Sequence, residues 1–268
     1  MERERDEYLW FAAQVLRWIG VDLTEYKRPQ MERRLTSLRQ RWNCDNWADF
    51  FALIRRDPRV YQEFLDKMTI NVSEFYRNPG RWEVVGRRLA PRYLKLSRPV
   101  RCWSAACSTG EEPYTLAMVL MESGLSPNRF EILATDIDES AMERAKQGIY
   151  RTASLEHAPS GTSAKYFEQL GEDRWAIRPI VKQSVRFRRH NLLADPYDHG
   201  FDLIVCRNVM IYFTEEAKMR IYPKFRDALA PGGVLFVGST EPIFQPERFG
   251  FRVFDTFFYE KISPSPGR

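Results

Sequence analysis

After Pro99 the chain alternates between two kinds of segment. Short runs rich in branched and aromatic residues are followed by stretches whose apolar residues recur every three or four positions. "VRCWSAA" precedes "EPYTLAMVLMES", "FEILATD" precedes "ESAMERAKQGIY", and "FDLIVCRNV" precedes "EEAKMRIYPKFRDALA" and then "GGVLFVGST". A parallel strand pair needs a crossover of a dozen or more residues, usually a helix. The alternation therefore predicts an α/β fold, a mostly parallel sheet with helices on both faces. "RWAIRPIVKQSVRFRRHNL" alternates weakly and is compatible with a small hairpin. The aromatic "FRVFDTFFYEK" reads as a last strand and "SPSPGR" as a disordered tail.

The first third reads as helices. "DEYLWFAAQVLRWIG" is amphipathic and ends at Gly20, a residue type suited to the left-handed position after a helix. Met31, Leu35, Leu38 and Trp42 recur at helical spacing and form one apolar stripe, leaving Arg33, Arg34 and Arg41 off it. "NWADFFALIRRD" and "PRVYQEFLDKMTINV" predict two more helices. "NPGRWEVVGRRLAPRYLKLSRP" predicts a linking helix closed by Pro99. Charge is uneven: residues 1–98 carry 20 basic and 14 acidic residues, net +6, and the remainder 21 and 22, net −1. A basic N-terminal third suits a partner of opposite sign, either nucleic acid or an acidic protein surface.

Other classes are disfavoured. No apolar run approaches the roughly 20 residues that span a bilayer, and "MERERDEY" has no signal-peptide core. The four cysteines and three histidines lack metal-ligand spacing, so the thiols read as buried and free in a reducing cytosol.

The stretch "SAACSTGEEPY" carries the functional question. A strand, a tight turn and a helix start are where many α/β proteins hold a nucleotide. Here there is one glycine, Gly110, followed by two acids, Glu111 and Glu112. A pyrophosphate would be repelled by them, whereas an adenosine ligand carrying positive charge would be held. Both acids also suit the positive end of a helix dipole, which accounts for one of them but not for the missing glycines. About 20 residues on, Asp136 stands where a ribose-binding carboxylate belongs; alternatively Asp136 or Asp138 caps the helix "ESAMERAK". S-adenosylmethionine, with a ribose, a sulfonium, an α-ammonium and no phosphate, satisfies both acidic features.

"SAACSTGEEPYT", "ATDIDESAMERAKQGIYR", "FDLIVCRNVMIYF", "LAPGGVLFVGSTE" and, upstream, "TINVSEFYRNPGRW" closely resemble the CheR family of chemotaxis receptor methyltransferases. The resemblance runs from about Phe11 to Lys261. It implies a class I S-adenosylmethionine-dependent methyltransferase fold, Rossmann-like, with a mostly parallel sheet, an antiparallel last strand, an all-α N-terminal domain and a small β-subdomain. The boundaries expected are a helical substrate-recognition domain at 1–78, a linker helix at 79–98, and a methyltransferase domain at 99–262. The β-subdomain is expected at about 166–187 and the tail at 263–268. By motif, the resemblance assigns cofactor contacts to Asn71, Ser73, Arg77, Glu112, Asp136, Asn191, Leu192, Arg207 and Asn208, Glu111 being the weaker choice of the two turn acids. Ser73 stands where threonine is common and keeps the hydroxyl; Tyr76 stands where a second phenylalanine is common.

The implied reaction transfers methyl from S-adenosylmethionine to glutamate side chains on the cytoplasmic helices of chemoreceptors, leaving S-adenosylhomocysteine. A carboxylate is already anionic at neutral pH, so no general base is required. Alignment and exclusion of water must do the work. The resemblance supports Arg77 and Tyr212 as the residues that orient the incoming glutamate. Arg33, Arg34 and Arg41 would meet the acidic methylation helices. The expected protein is a cytoplasmic monomer that binds neither nucleic acid nor membrane. The short, acidic loop "LGEDRW" argues against a tether through the receptor's C-terminal pentapeptide. The competing readings are a methyltransferase of RNA or a small molecule, and a non-catalytic receptor adapter that binds the cofactor.

Overall fold

The structure is a computed structural model that describes residues 2–69, 71 and 73–262. The expected tail at 263–268 lies outside the described residues. The chain forms two compact units. The first comprises residues 1–71, 191–196 and 209–221, and the second comprises 72–190, 197–208 and 222–268.

In the first unit, four helices follow the apolar spacing: α1 (Glu2–Ile19), α2 (Arg28–Arg41), α3 (Trp47–Arg56) and α4 (Pro58–Thr69). Tyr8, Phe11, Ala12 and Val15 form the buried face of α1, which stops at Gly20 with φ +72°. Met31, Leu35 and Leu38 bury the stripe of α2. Trp42 lies just past its end, its indole N–H donating to Glu63 at 3.0 Å. Asn46 caps α3 by accepting the Asp49 N–H at 2.8 Å. Phe11 joins the helices, its ring 4.8 Å from Trp47 and 5.8 Å from Phe50.

The second unit begins with α5 (Pro79–Val84), a π-helical turn (Val85–Leu89) and α6 (Ala90–Tyr93), so the expected linker helix is interrupted by a widened turn and ends before Pro99. Next come β1 (Val100–Ala105), α7 (Glu111–Glu122), β2 (Phe130–Asp136), α8 (Glu139–Gln147), β3 (Ile149–Arg151), α9 (Thr162–Tyr166), β4 (Phe167–Gly171), β5 (Arg174–Ile177) and α10 (Pro179–Lys182). The chain closes with β6 (Val185–Arg189), β7 (Phe201–Cys206), α11 (Glu215–Ala228), β8 (Leu229–Val237), β9 (Phe251–Asp255) and β10 (Phe258–Lys261). The first half of α11 belongs to the first unit.

The main sheet has seven strands in the order β6-β2-β1-β7-β8-β10-β9. The first five are parallel, and β10 is antiparallel to both β8 and β9. The central strands β1 and β7 are buried on both faces, β7 at every residue, as helix-covered parallel strands require, whereas the edge strand β6 exposes Arg186, Arg188 and Arg189. The expected α/β architecture with an antiparallel last strand is observed. Two details differ. "FRVFDTFFYEK" is a hairpin rather than one strand, because Asp255 accepts the Thr256 N–H at 2.7 Å and Phe257 turns the chain at φ +70°. The small sheet has the order β3-β5-β4 and takes its first strand from 149–151, outside the expected range of 166–187. Val185–Arg189 pairs with β2 in the main sheet instead. No helix among the described residues is long and apolar enough to cross a membrane.

Asp202 anchors the start of the sheet. Its carboxylate takes two bonds from the Arg98 guanidinium at 2.7 Å each, and the Arg101 N–H at 2.9 Å. Asp202→Ala leaves the part-buried Arg101 N–H and the Arg98 guanidinium without their acceptor and should lower stability by about 1–3 kcal/mol. The denaturant midpoint measures this; an unchanged midpoint would reduce the cluster to surface decoration.

Candidate functional site

The order β6-β2-β1-β7-β8 reverses direction between β1 and β7, which is where open α/β sheets bind ligands beyond their carboxyl ends. The turn after β1 and the loop after β7 flank this point. In the turn, Ala106, Ser108 and Gly110 all have positive φ, at +64°, +48° and +93°. Left-handed backbone is costly for Ala and Ser and persists only where the surroundings hold it. Here the Ser108 N–H is aimed at Asp136 Oδ2, 2.8 Å away. Gly110 is required sterically: a Cβ there would lie 2.7 Å from the Ala145 Cβ.

Asp136 is buried at the end of β2. Its other oxygen accepts the Asp138 N–H at 3.0 Å. The helix cap is Asp138, which accepts the Ala141 N–H at 3.1 Å, so Asp136 is not needed for capping. Burial pushes the Asp136 carboxyl up to about 6 despite those backbone donors.

Glu111 and Glu112 begin α7 and are both largely buried. Thr109 Oγ1 donates to Glu111 at 2.7 Å, and Ser73 donates to the same carboxylate. Burial raises the Glu111 carboxyl nonetheless. Glu112 accepts from Ser104 Oγ at 2.9 Å and lies 3.7 Å from Arg207 Nη1. Burial outweighs both and pushes its carboxyl up to about 7.

Arg207 is the buried cation of the group. Its Nη2 donates to the Arg77 carbonyl at 2.9 Å and to Asn78 Oδ1 at 2.7 Å. The guanidinium lies over the rings of Phe236 and Trp82, at 4.8 and 5.5 Å. Its buried Nε–H has no acceptor among the described residues. Arg77 itself lies 3.7 Å from Glu74 and adds positive potential at Glu112. Asn208 follows at φ +60°, its N–H donating to Glu241 Oε2 at 2.6 Å. The same oxygen accepts the Gly238 N–H at 2.9 Å. A Cβ at Gly238 would fall 2.2 Å from that oxygen and 3.0 Å from the Asn208 nitrogen.

The sequence-expected residues thus divide. Ser73, Arg77, Glu112, Asp136, Arg207 and Asn208 gather in the second unit. Asn71, Asn191, Leu192 and Tyr212 belong to the first, with Arg33, Arg34 and Arg41. Asn71 Nδ2 donates to Thr69 Oγ1 at 3.1 Å, and Leu192 is buried. Asn191 Nδ2 donates to the Gly20 carbonyl at 3.1 Å, fixing the segment that carries it to the end of α1. The Tyr212 carbonyl accepts the Lys27 N–H at 2.8 Å, and Tyr26 bridges Phe213, so "MIYF" is stitched to the start of α2. The Arg34 guanidinium lies 5.2 Å from the centre of the Tyr212 ring. Arg33 is exposed, and Arg41 pairs with Glu63. Glu241, which the sequence reading missed, lies three residues beyond Gly238 at the end of β8; it could have been found because it sits at another strand terminus.

A family profile described as the S-adenosylmethionine-binding domain of CheR methyltransferases matches residues 71–258, and that of the all-α CheR domain matches residues 6–69. A chemotaxis protein methyltransferase of Listeria innocua is 44% identical over 256 residues, 95% of this chain and 97% of that protein. One of Borreliella burgdorferi is 34% identical over 236 residues, 84% and 83% of the two chains. The chemotaxis protein methyltransferase Cher2 of Pseudomonas putida is 32% identical over 235 residues, 84% and 86%.

Glu241 fixes the loop after β7 by accepting two backbone N–H groups. Glu241→Ala should destabilise the protein by about 1–3 kcal/mol for each donor left buried. Glu241→Gln, which keeps an acceptor oxygen, should recover most of that. Chemical denaturation of the two variants measures the difference, and equal stability of both with the parent protein would remove the clasp.

Proposed function

The chain belongs to the CheR methyltransferase family, and from that premise we propose that it esterifies glutamate side chains on the cytoplasmic helices of chemoreceptors. It is a methyltransferase of chemotaxis that uses S-adenosylmethionine. The glutamate specificity, the residue roles and the mode of docking are our reading. The observation that carries it is the cluster of buried carboxylates at the strand ends, Glu111, Glu112 and Asp136, with Arg207 the buried cation beside them.

The residues fit the cofactor. Two carboxyls raised by burial offer charge to a cationic ligand, while the acids of the β1 turn disfavour a phosphate. Asp136 keeps lone pairs for ribose hydroxyls after accepting two N–H bonds. Glu112 would take the α-ammonium. The Arg207 Nε–H, which lacks an acceptor among the described residues, suits the cofactor's carboxylate. Ser73 and Arg77 would complete this part of the site; Asn71, Asn191 and Leu192 are assigned to the cofactor by the family motifs alone. Bound S-adenosylmethionine supplies an electrophilic methyl on a sulfonium.

The chain's own task is then alignment. A receptor glutamate arrives as the nucleophile and needs no base. We assign Arg77 and Tyr212 to orient it. Charge is neutralised as the methyl passes, so a strong ion pair to the glutamate would slow the step; a half-exposed arginine and a phenol hold it more weakly. Burial of the surrounding carboxylates supports a site low in water.

Docking is assigned to α2. Arg33 and Arg34 are the better contacts for acidic helices, because Arg41 already faces Glu63. The protein would act as a cytoplasmic monomer. The turn between β4 and β5 holds two acids, Glu172 and Asp173, and we propose that no C-terminal receptor peptide is needed there.

Two outcomes are expected. Asp136→Ala should weaken S-adenosylhomocysteine binding about ten-fold or more, since hydrogen bonds to charged groups are worth about 1.5–3 kcal/mol. Calorimetry on the folded variant measures it, and unchanged affinity would strip Asp136 of the ribose role. A receptor cytoplasmic fragment should accept labelled methyl that is released by mild base, at the same rate with or without its C-terminal peptide. Base-stable label would assign the transfer to nitrogen or carbon, and dependence on the peptide would restore the tether.

A further inference from the structure

A depression of about 410 Å³ lies on the second unit, lined by Arg144, Gln147, Ile149, Tyr150, Arg151 and Arg174. Three of these six residues are arginines, drawn from α8, β3 and β5, and none is acidic. Its size falls within the range of small-molecule sites, about 300–1,000 Å³.

The register of the small sheet sharpens the point. In the antiparallel pair of β3 and β5, Arg151 stands directly opposite Arg174. Directly opposed residues have Cβ atoms about 4.5–5.5 Å apart, and like charges there are destabilising. Neither side chain makes an ion pair or hydrogen bond with a described residue. Asp173, the residue before Arg174 in sequence, accepts the Thr152 N–H at 3.1 Å. Lys182 adds a further cation at the Gln147 carbonyl, 3.0 Å away. An anion between the guanidinium groups turns this repulsion into attraction.

We propose that this depression is a binding site for a phosphate-bearing small molecule, with the guanidinium forks on a diphosphate or triphosphate group. Arginine presents paired donors that match phosphate oxygens, and the half-exposed Ile149 gives one apolar wall for the rest of the molecule. The site adjoins the turn acids of the cofactor region, since Arg144 in its wall adds positive potential at Glu111. Tyr150, in its wall, donates to the Thr109 carbonyl at 2.8 Å, and Thr109 holds Glu111.

Isothermal titration of the full chain at 0.15 M salt with pyrophosphate, with ATP and with a short polyglutamate peptide tests the assignment. Saturable one-to-one binding of pyrophosphate or ATP is expected. Arg151→Ala and Arg174→Ala should each weaken it about ten-fold, with S-adenosylhomocysteine affinity unchanged as the control for folding. Binding of neither phosphate compound would overturn the proposal. So would phosphate binding indifferent to both substitutions, and so would binding of the peptide alone, which would make the surface a protein-docking site.

Discussion

Carboxylates held out of water at the ends of parallel strands set the terms for the rest of the second unit. An ionised carboxylate costs several kcal/mol to bury unless donors or a cation compensate. Asp136 and Glu241 take backbone N–H groups from Ser108, Asp138, Asn208 and Gly238. That demand accounts for local features that otherwise look arbitrary: Ser108 and Asn208 in left-handed conformations, a glycine where Glu241 folds back, and Arg207 buried against Trp82 and Phe236. Even so, Glu112 and Asp136 are not fully compensated, and their carboxyls rise to about 7 and about 6. A site left short of positive charge is suited to a cationic ligand, and S-adenosylmethionine is one.

The division into units assigns different work to the two groups of residues. The second unit holds the acids and Arg207. The first holds α2, the "MIYF" segment and the Asn191–Pro196 segment. The Arg34–Tyr212 contact joins the helix expected to meet substrate with the phenol expected to orient it. Positioning rather than acid–base chemistry is what this set of side chains can offer, and carboxylate methylation asks for no more.

Much of this was legible in the sequence because it is local. The period of three to four residues located α1 to α4, and the alternation after Pro99 located β1, β2, β7 and β8. The turn acids and Asp136 pointed to charge complementarity without any structure. What escaped was non-local. Whether Asp136 or Asp138 caps α8 depends on where a β1-turn N–H lies, which spacing cannot tell. Ile149–Arg151 reads as the end of a helix until Arg174–Ile177 pairs with it. The final hairpin was hidden because Phe257 makes its turn without a glycine or proline to announce it. The placement of 191–196 and 209–221 with the helices rests on bonds to Gly20, Glu25 and Lys27, all more than 160 residues away.

The central claim, that buried carboxylates are completed by the cofactor's positive charge, is tested most directly by proton release on binding. With the carboxyls raised by burial, the empty protein carries protons on Glu112 and Asp136 that an unfolded chain would have lost. The α-ammonium, which S-adenosylhomocysteine retains, favours the ionised form of Glu112, and ribose hydroxyls donating to Asp136 favour its ionised form, so binding must expel protons as pH approaches those values from above. Calorimetry of S-adenosylhomocysteine in buffers of different ionisation enthalpy counts them. The account predicts release of about half a proton or more near pH 6.5, falling toward zero by about pH 8.5, and a smaller release in Glu112→Gln. Binding with no proton release near pH 6.5, or with proton uptake, would contradict it.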